Sequence, residues 1–139
     1  MPLMLERLAA GHSVRFSPRG TSMRPMLRQG LDSVVLSPLP ERLKKYDLPL
    51  YRRKNGQFVL HRVVKVGKTY TCMGDNQFLP ETGLEHGQMI AVVTAFTRGD
   101  AEHSVKELGY WLYCRLWHLS RPLRRCWHWG IGWIRRRLP

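Results

Sequence analysis

Ser22 lies in Gly20-Thr-Ser-Met-Arg-Pro-Met-Leu27, between a glycine and a proline-containing turn. A hydroxyl on such a corner can stand clear of its flanking chain, and a glycine beside it lets a substrate backbone come close. A serine hydroxyl is a weak nucleophile near neutral pH and needs a base. His61, in Phe58-Val-Leu-His-Arg-Val-Val-Lys-Val66, is the best candidate. Its imidazole has an ordinary pKa of roughly 6.5, and a β-like run holds a side chain more firmly than a loop does. A nucleophile with a base suits acyl transfer, with the oxyanion facing backbone N–H groups around Gly20, Thr21 and Ser22. A histidine in a strand is equally a common core or surface residue, and spacing alone does not bring Ser22 and His61 together.

The elements that must position these groups read as mainly β, a β-rich α+β pattern. Residues 2–10 carry Leu3, Leu5 and Leu8 as the apolar stripe of a short helix, with Gly11 as its stop. Strands are expected over 13–17, 32–36, 48–53, 57–66, 69–73 and 89–97, from alternation or short apolar runs. Residues 23–27 suggest a helical turn. Lys54-Asn55-Gly56 is a hairpin signal, since Asn and Gly both tolerate positive φ. Residues 74–87 read as a loop. The expected organisation is a core over 1–98, a linker over 99–109 and a basic tail over 110–139.

Composition sets further bounds. Of 139 residues 43% are hydrophobic, enough for one ordinary core. Cys72, Cys114 and Cys126 are an odd number without a C-x-x-C pair, which argues against a disulfide framework. Cys114, His118, Cys126 and His128 do not match the usual zinc spacings, and no metal or organic cofactor is expected. The net charge is +13, and no acidic residue follows Glu107. Arg115, Arg121, Arg124, Arg125, Arg135, Arg136 and Arg137 all fall in the tail, with Trp111, Trp117, Trp127, Trp129 and Trp133. Leu112, Leu116, Leu119, Leu123, Trp127, Ile131 and Ile134 recur at helical spacing, and Pro122 divides or kinks the helix. Arginine with interfacial tryptophan on an amphipathic helix suits an anionic membrane surface. The expected contacts are Arg115, Trp117, Arg124, Arg125, Trp127, Trp133, Arg135, Arg136 and Arg137. Packing of this helix on the chain's own core or on a partner is the other reading, and nucleic acid ranks lower because the apolar stripe is so continuous. With no secretory signal and no run near the roughly 18 apolar residues of a spanning helix, the expected location is cytoplasmic, peripheral at the inner face of the membrane.

Four strings in order, Gly20-Thr-Ser-Met-Arg-Pro-Met-Leu27, Gly30-Leu-Asp-Ser-Val-Val35, Leu60-His-Arg-Val-Val64 and Met73-Gly-Asp-Asn76, resemble the boxes of the signal peptidase superfamily. That superfamily includes type I signal peptidases and the self-cleaving domains of SOS repressors, and the resemblance spans about residues 13 to 97. It implies a partly barrel-like β core and a nucleophile at Ser22. Histidine rather than lysine in the third box is similar to the archaeal and endoplasmic-reticulum branch, and implies His61 as base. It further implies Asp75, in the Gly-Asp box, as the acid that orients His61, with Glu81 as the alternative acid; Asp75 is otherwise a turn residue capping local N–H groups. Asp32 is expected to organise a turn. Where many members carry a serine whose hydroxyl assists the oxyanion hole, this chain has Gly20, leaving that work to the backbone or Thr21.

The function so implied is a serine endopeptidase that removes a leader or signal segment from a peptide or protein precursor. The alternative is a catalytically inactive binding or regulatory module of the same fold, anchored by its basic tail to membrane or nucleic acid.

Overall fold

The structure, a computed structural model, describes residues 2–20 and 22–127. It is mainly β, with a curled half-barrel sheet, a short N-terminal helix and C-terminal helices. Helix α1 is Pro2–Ala9, and the strands are β1 (Val14–Phe16), β2 (Ser33–Pro38), β3 (Pro49–Arg52), β4 (Phe58–Leu60), β5 (Arg62–Val66), β6 (Tyr70–Met73), β7 (Glu81–Leu84), β8 (Met89–Arg98) and β9 (Ala101–Ser104). Helix α2 is Leu108–Leu119, and residues 121–127 are again helical.

The larger sheet runs β1-β2-β8-β3-β4, and β9 pairs with the far half of β8; β5-β6-β7 form a smaller sheet. All pairings are antiparallel. Ten-residue β8 is the spine, because its Val-Ile-Ala-rich sequence is apolar on both faces. Strand β3 divides two cores, since successive side chains point to opposite faces. Leu50 joins Leu8, Met23, Met26, Leu27, Val34 and Leu36 on one side. Tyr51 joins Leu43, Val63, Tyr70, Cys72 and Leu84 on the other.

Four sequence expectations change. The single strand expected over 57–66 is two, one in each sheet, and His61 is the corner between them. Within the expected loop 74–87 lies β7, an edge strand that pairs only with β6 and buries only Leu84; Pro80 and Gly83 hide it from a propensity reading. The expected linker 99–109 holds β9, which pairs Ala101–Ser104 with Arg98–Ala95. In the β3–β4 hairpin only Gly56 takes a positive φ, 92°, because Asn55 instead uses Oδ1 to accept from the Gln57 N–H at 2.9 Å.

The basic tail expected over 110–139 begins within α2 and is described as far as residue 127. Tyr110 and Tyr113 of α2 pack against the larger core, and Cys114 and Arg121 are buried. The described part of this helix packs on the chain's own core along one face.

Candidate active site

Residues 22–27 form a turn pinned from below by buried Met23, Met26 and Leu27, with the Leu27 N–H donating to Met23 O at 3.0 Å. Asp32 secures its exit. Its carboxylate accepts from the Arg28 N–H at 2.8 Å, from Arg28 Nε at 2.9 Å and from the Gly99 N–H at 2.7 Å. The Arg28 hydrogen bond is the main reason its pKa falls to about 2. Behind Ser22 runs Gly74. A Cβ on Gly74 would lie 2.5 Å from Ser22 O and 3.0 Å from Ser22 Cβ, so only glycine fits there without displacing the serine. The Asn76 N–H donates to Ser22 O at 2.8 Å, tying the two loops together.

Ser22, Gly20 and His61 line one cavity of about 600 Å³, with Phe16, Met23 and Leu50 among its apolar walls. Strands β1 and β4, the two ends of the larger sheet, border it through Phe16 and through Phe58, Val59 and Leu60. A second cavity of about 470 Å³, reaching Leu79 and Glu81, shares Arg53, His61 and Gln77 with the first. The groove therefore continues on both sides of the histidine.

His61 is buried, and its Nδ1 lies 3.3 Å from the Tyr51 hydroxyl. That hydroxyl donates to Glu81 Oε1 at 2.9 Å. Arg53 holds the same carboxylate, Nε at 3.1 Å from both oxygens and Nη2 at 2.8 Å from Oε1. Burial alone would raise the Glu81 carboxyl, but the hydrogen bonds from Arg53 and Tyr51 hold it below its ordinary value. An ionised carboxylate only accepts, so the phenolic proton points to Glu81 and the Tyr51 oxygen is left to accept. His61 then carries its proton on Nδ1 and its lone pair on Nε2. Burial, with help from the nearby Arg53 charge, lowers the His61 pKa to about 4, which keeps the ring neutral at pH 7.

Asp75, expected to orient His61, is committed elsewhere. It is 1% exposed and pairs with Arg62, Nε to Oδ1 at 2.8 Å and Nη2 to Oδ2 at 3.0 Å. Tyr113 of α2 donates to Oδ2 at 2.6 Å. Arg62, adjacent to His61, points the opposite way from it and also donates to Tyr46 O at 3.0 Å and to the Tyr110 hydroxyl at 2.7 Å. The physical reason is the corner: His61 lines the groove, Arg62 begins β5 and reaches Tyr110 of α2, and Asp75 is the buried anion that compensates it. The hydrogen-bonded path from His61 leads to Glu81 instead.

Thr21 lies outside the described residues, as do Trp133, Arg135, Arg136 and Arg137. Of the expected membrane contacts, Trp117 turns inward: its indole N–H donates to Asp75 O at 2.8 Å and its ring stacks on Tyr113. Arg124 also turns in, lying 3.6 Å over the Trp117 ring and donating to Asp75 O at 3.2 Å. Arg115 sits over the rings of Trp111 and Tyr46. Arg125 and Trp127 are exposed. Among the described residues, no group of three or more His, Cys, Asp or Glu is placed to hold a metal ion.

Sequence reasoning missed Tyr51, Arg53, Arg62 and the close packing at Gly74. Tyr51 had a signal. The hairpin register pairs Tyr51 with Val59, which makes His61 its diagonal neighbour, a distance an aromatic side chain spans. A scan against protein-family models, a search of curated proteins and a search of solved structures each found no match.

Proposed function

We propose that the chain is a serine endopeptidase of signal-peptidase type, cleaving a leader or signal segment from a peptide or protein precursor. The observation that carries this reading is that His61 and Ser22 line one cavity, with His61 Nδ1 3.3 Å from a Tyr51 hydroxyl that itself donates to Glu81.

In the proposed reaction a peptide lies extended in the groove between β1 and β4, with an apolar side chain against Phe16, Met23 and Leu50. Ser22 Oγ attacks the scissile carbonyl carbon while its proton passes to His61 Nε2. The Glu81 charge, conveyed through Tyr51, favours the imidazolium so formed. Backbone N–H groups around Ser22 take the oxyanion. The intermediate collapses, the C–N bond breaks, and the Nε2 proton goes to the departing amine. Water then enters and attacks the ester carbonyl as it loses a proton to Nε2; the bond from that carbon to Ser22 Oγ breaks, the Nε2 proton returns to Oγ, and the acid product leaves. Continuity of the groove past His61 suits an endopeptidase, which needs room on both sides of the bond.

The test is labelling by a fluorophosphonate probe together with processing of a co-expressed precursor. The wild-type chain is expected to be labelled and to release a leader, and Ser22→Ala and His61→Ala to do neither. If all three chains behave alike, the peptidase reading falls. Gly20 favours the second reading, a binding module of the same fold, because no side-chain hydroxyl is available there for the oxyanion. That reading requires Ser22→Ala to bind a precursor peptide as the wild type does while neither chain cleaves it.

A further inference from the structure

We propose that the outward face of α2 and of helical residues 121–127 docks on an anionic lipid bilayer. This goes beyond the peptidase reading and does not rest on it. The segment has two apolar faces. One is used: Tyr110, Tyr113, Cys114, Trp117 and Arg121 lie against the core and the 74–77 loop. The other carries Leu108, Leu112, Leu116, Leu119, Leu123 and Trp127 at steps of three and four. These six are between 41% (Leu112) and 75% (Leu123) exposed.

A helix that covers a soluble core normally turns charged residues to water on its far side. Here that side is leucine, and a continuous exposed apolar patch of this kind marks an interaction surface. Its flanks say which kind. Arg115 and Lys45 flank it over the Tyr46 ring, Arg125 is exposed beyond Ser120, and no acidic residue follows Glu107 in the sequence. Half-exposed Trp111, under the Arg115 guanidinium at 3.8 Å, is an amphipathic pair suited to the headgroup layer.

Residues 108–127 are on the order of 30 Å long if helical throughout. Among the described residues no helix is long and apolar enough to cross a membrane. The stripe therefore lies along the surface, with leucines at the acyl boundary and arginines at the phosphates. A second copy seated on the same face would bring the Arg115 and Arg125 charges at the flanks of both copies together. A nucleic acid would meet leucines where it needs cations and stacking rings.

The test is co-sedimentation of the full chain with phosphatidylcholine vesicles, with and without phosphatidylglycerol. The expected result is binding to the anionic vesicles, weakened by salt. The Leu116→Gln/Leu119→Gln/Leu123→Gln chain is expected to partition more than about tenfold less at unchanged helical content, because all three side chains are exposed. Should that chain lose helix, Leu119→Gln and Leu123→Gln are read singly, each expected to weaken binding. The proposal is overturned if the wild type stays in the supernatant, or if the leucine variants partition as the wild type does. It is equally overturned if the patch proves to close a dimer that these variants disperse, or to hold DNA or RNA, in the absence of vesicle binding.

Discussion

Between His61 Nδ1 and Glu81 Oε1 stands one phenolic proton, and its direction decides the tautomer of His61. While Glu81 is a carboxylate, the proton points to it and Nε2 keeps its lone pair. An amide in that place can donate to Tyr51, which frees the phenol to donate to Nδ1 and moves the histidine proton to Nε2, the wrong nitrogen for a base. Glu81→Gln is therefore expected to lower kcat by roughly 10- to 100-fold with KM little changed, in the range found for outer partners of functional histidines. Tyr51→Phe should act in the same direction. Nitrogen-15 spectra of His61 check the cause: the wild type should show Nδ1–H and Glu81→Gln a rise of Nε2–H. An unchanged tautomer with lost activity would assign Glu81 a different role. Stability should change little in Glu81→Gln, within about 1 kcal/mol, because the Arg53–Glu81 pair is about one-third exposed on each side.

At the scale of elements, the chain changes sheets at His61, which lines the groove, and Arg62 at the start of β5 reaches α2. Arg62 is the junction of β5, the Tyr46 turn, the 74–76 loop and α2. Breaking a buried ion pair by removing one partner typically costs about 3–5 kcal/mol. Asp75→Asn is expected to lose stability in that range by urea unfolding, while the remaining folded molecules keep their activity per mole. The opposite outcome, full stability with lost activity, would return Asp75 to the role of orienting acid. The hydrogen bonds join His61 to Glu81, the alternative acid, through Tyr51 and join Asp75 to Arg62, and the reason is visible in the neighbours. Strings of apolar residues showed where strands lie, and Asn-Gly showed a hairpin, because these depend on local chemistry. Nothing local marks the switch of sheets at His61, nor β7 and β9, whose polar sequences become strands only because β6 and β8 offer them an edge. Ser22 and His61, singled out by residue type and context, line one cavity. Arg62 was not singled out, since a buried cation is recognised only with its anion.

For the molecule as a whole, the groove and the fold respond to acid through the same histidine. Burial lowers the His61 pKa most, the Arg53 charge lowers it further, and the Glu81 and Asp75 charges act the other way. With the ring neutral down to a pKa of about 4, the base should remain available well below the ordinary histidine range, and activity should be lost as pH falls through 4 rather than through roughly 6.5. Stability moves first. The unfolded chain takes up this proton at roughly pH 6.5 and the folded chain only near 4, so the unfolded state gains on the folded one throughout that window. The full effect is on the order of 3 kcal/mol, of which about 2 should be gone by pH 5. Below that, Asp32, with its pKa of about 2, adds a second loss as pH falls from the ordinary carboxylate range toward 2. Urea unfolding at pH 7 and pH 5 measures the first window directly. The wild type should lose about 2 kcal/mol between them, and His61→Gln, which has no ring to protonate, should lose markedly less; equal losses would place the acid sensitivity in other groups and remove the claim that a buried neutral imidazole sits at the centre of this fold.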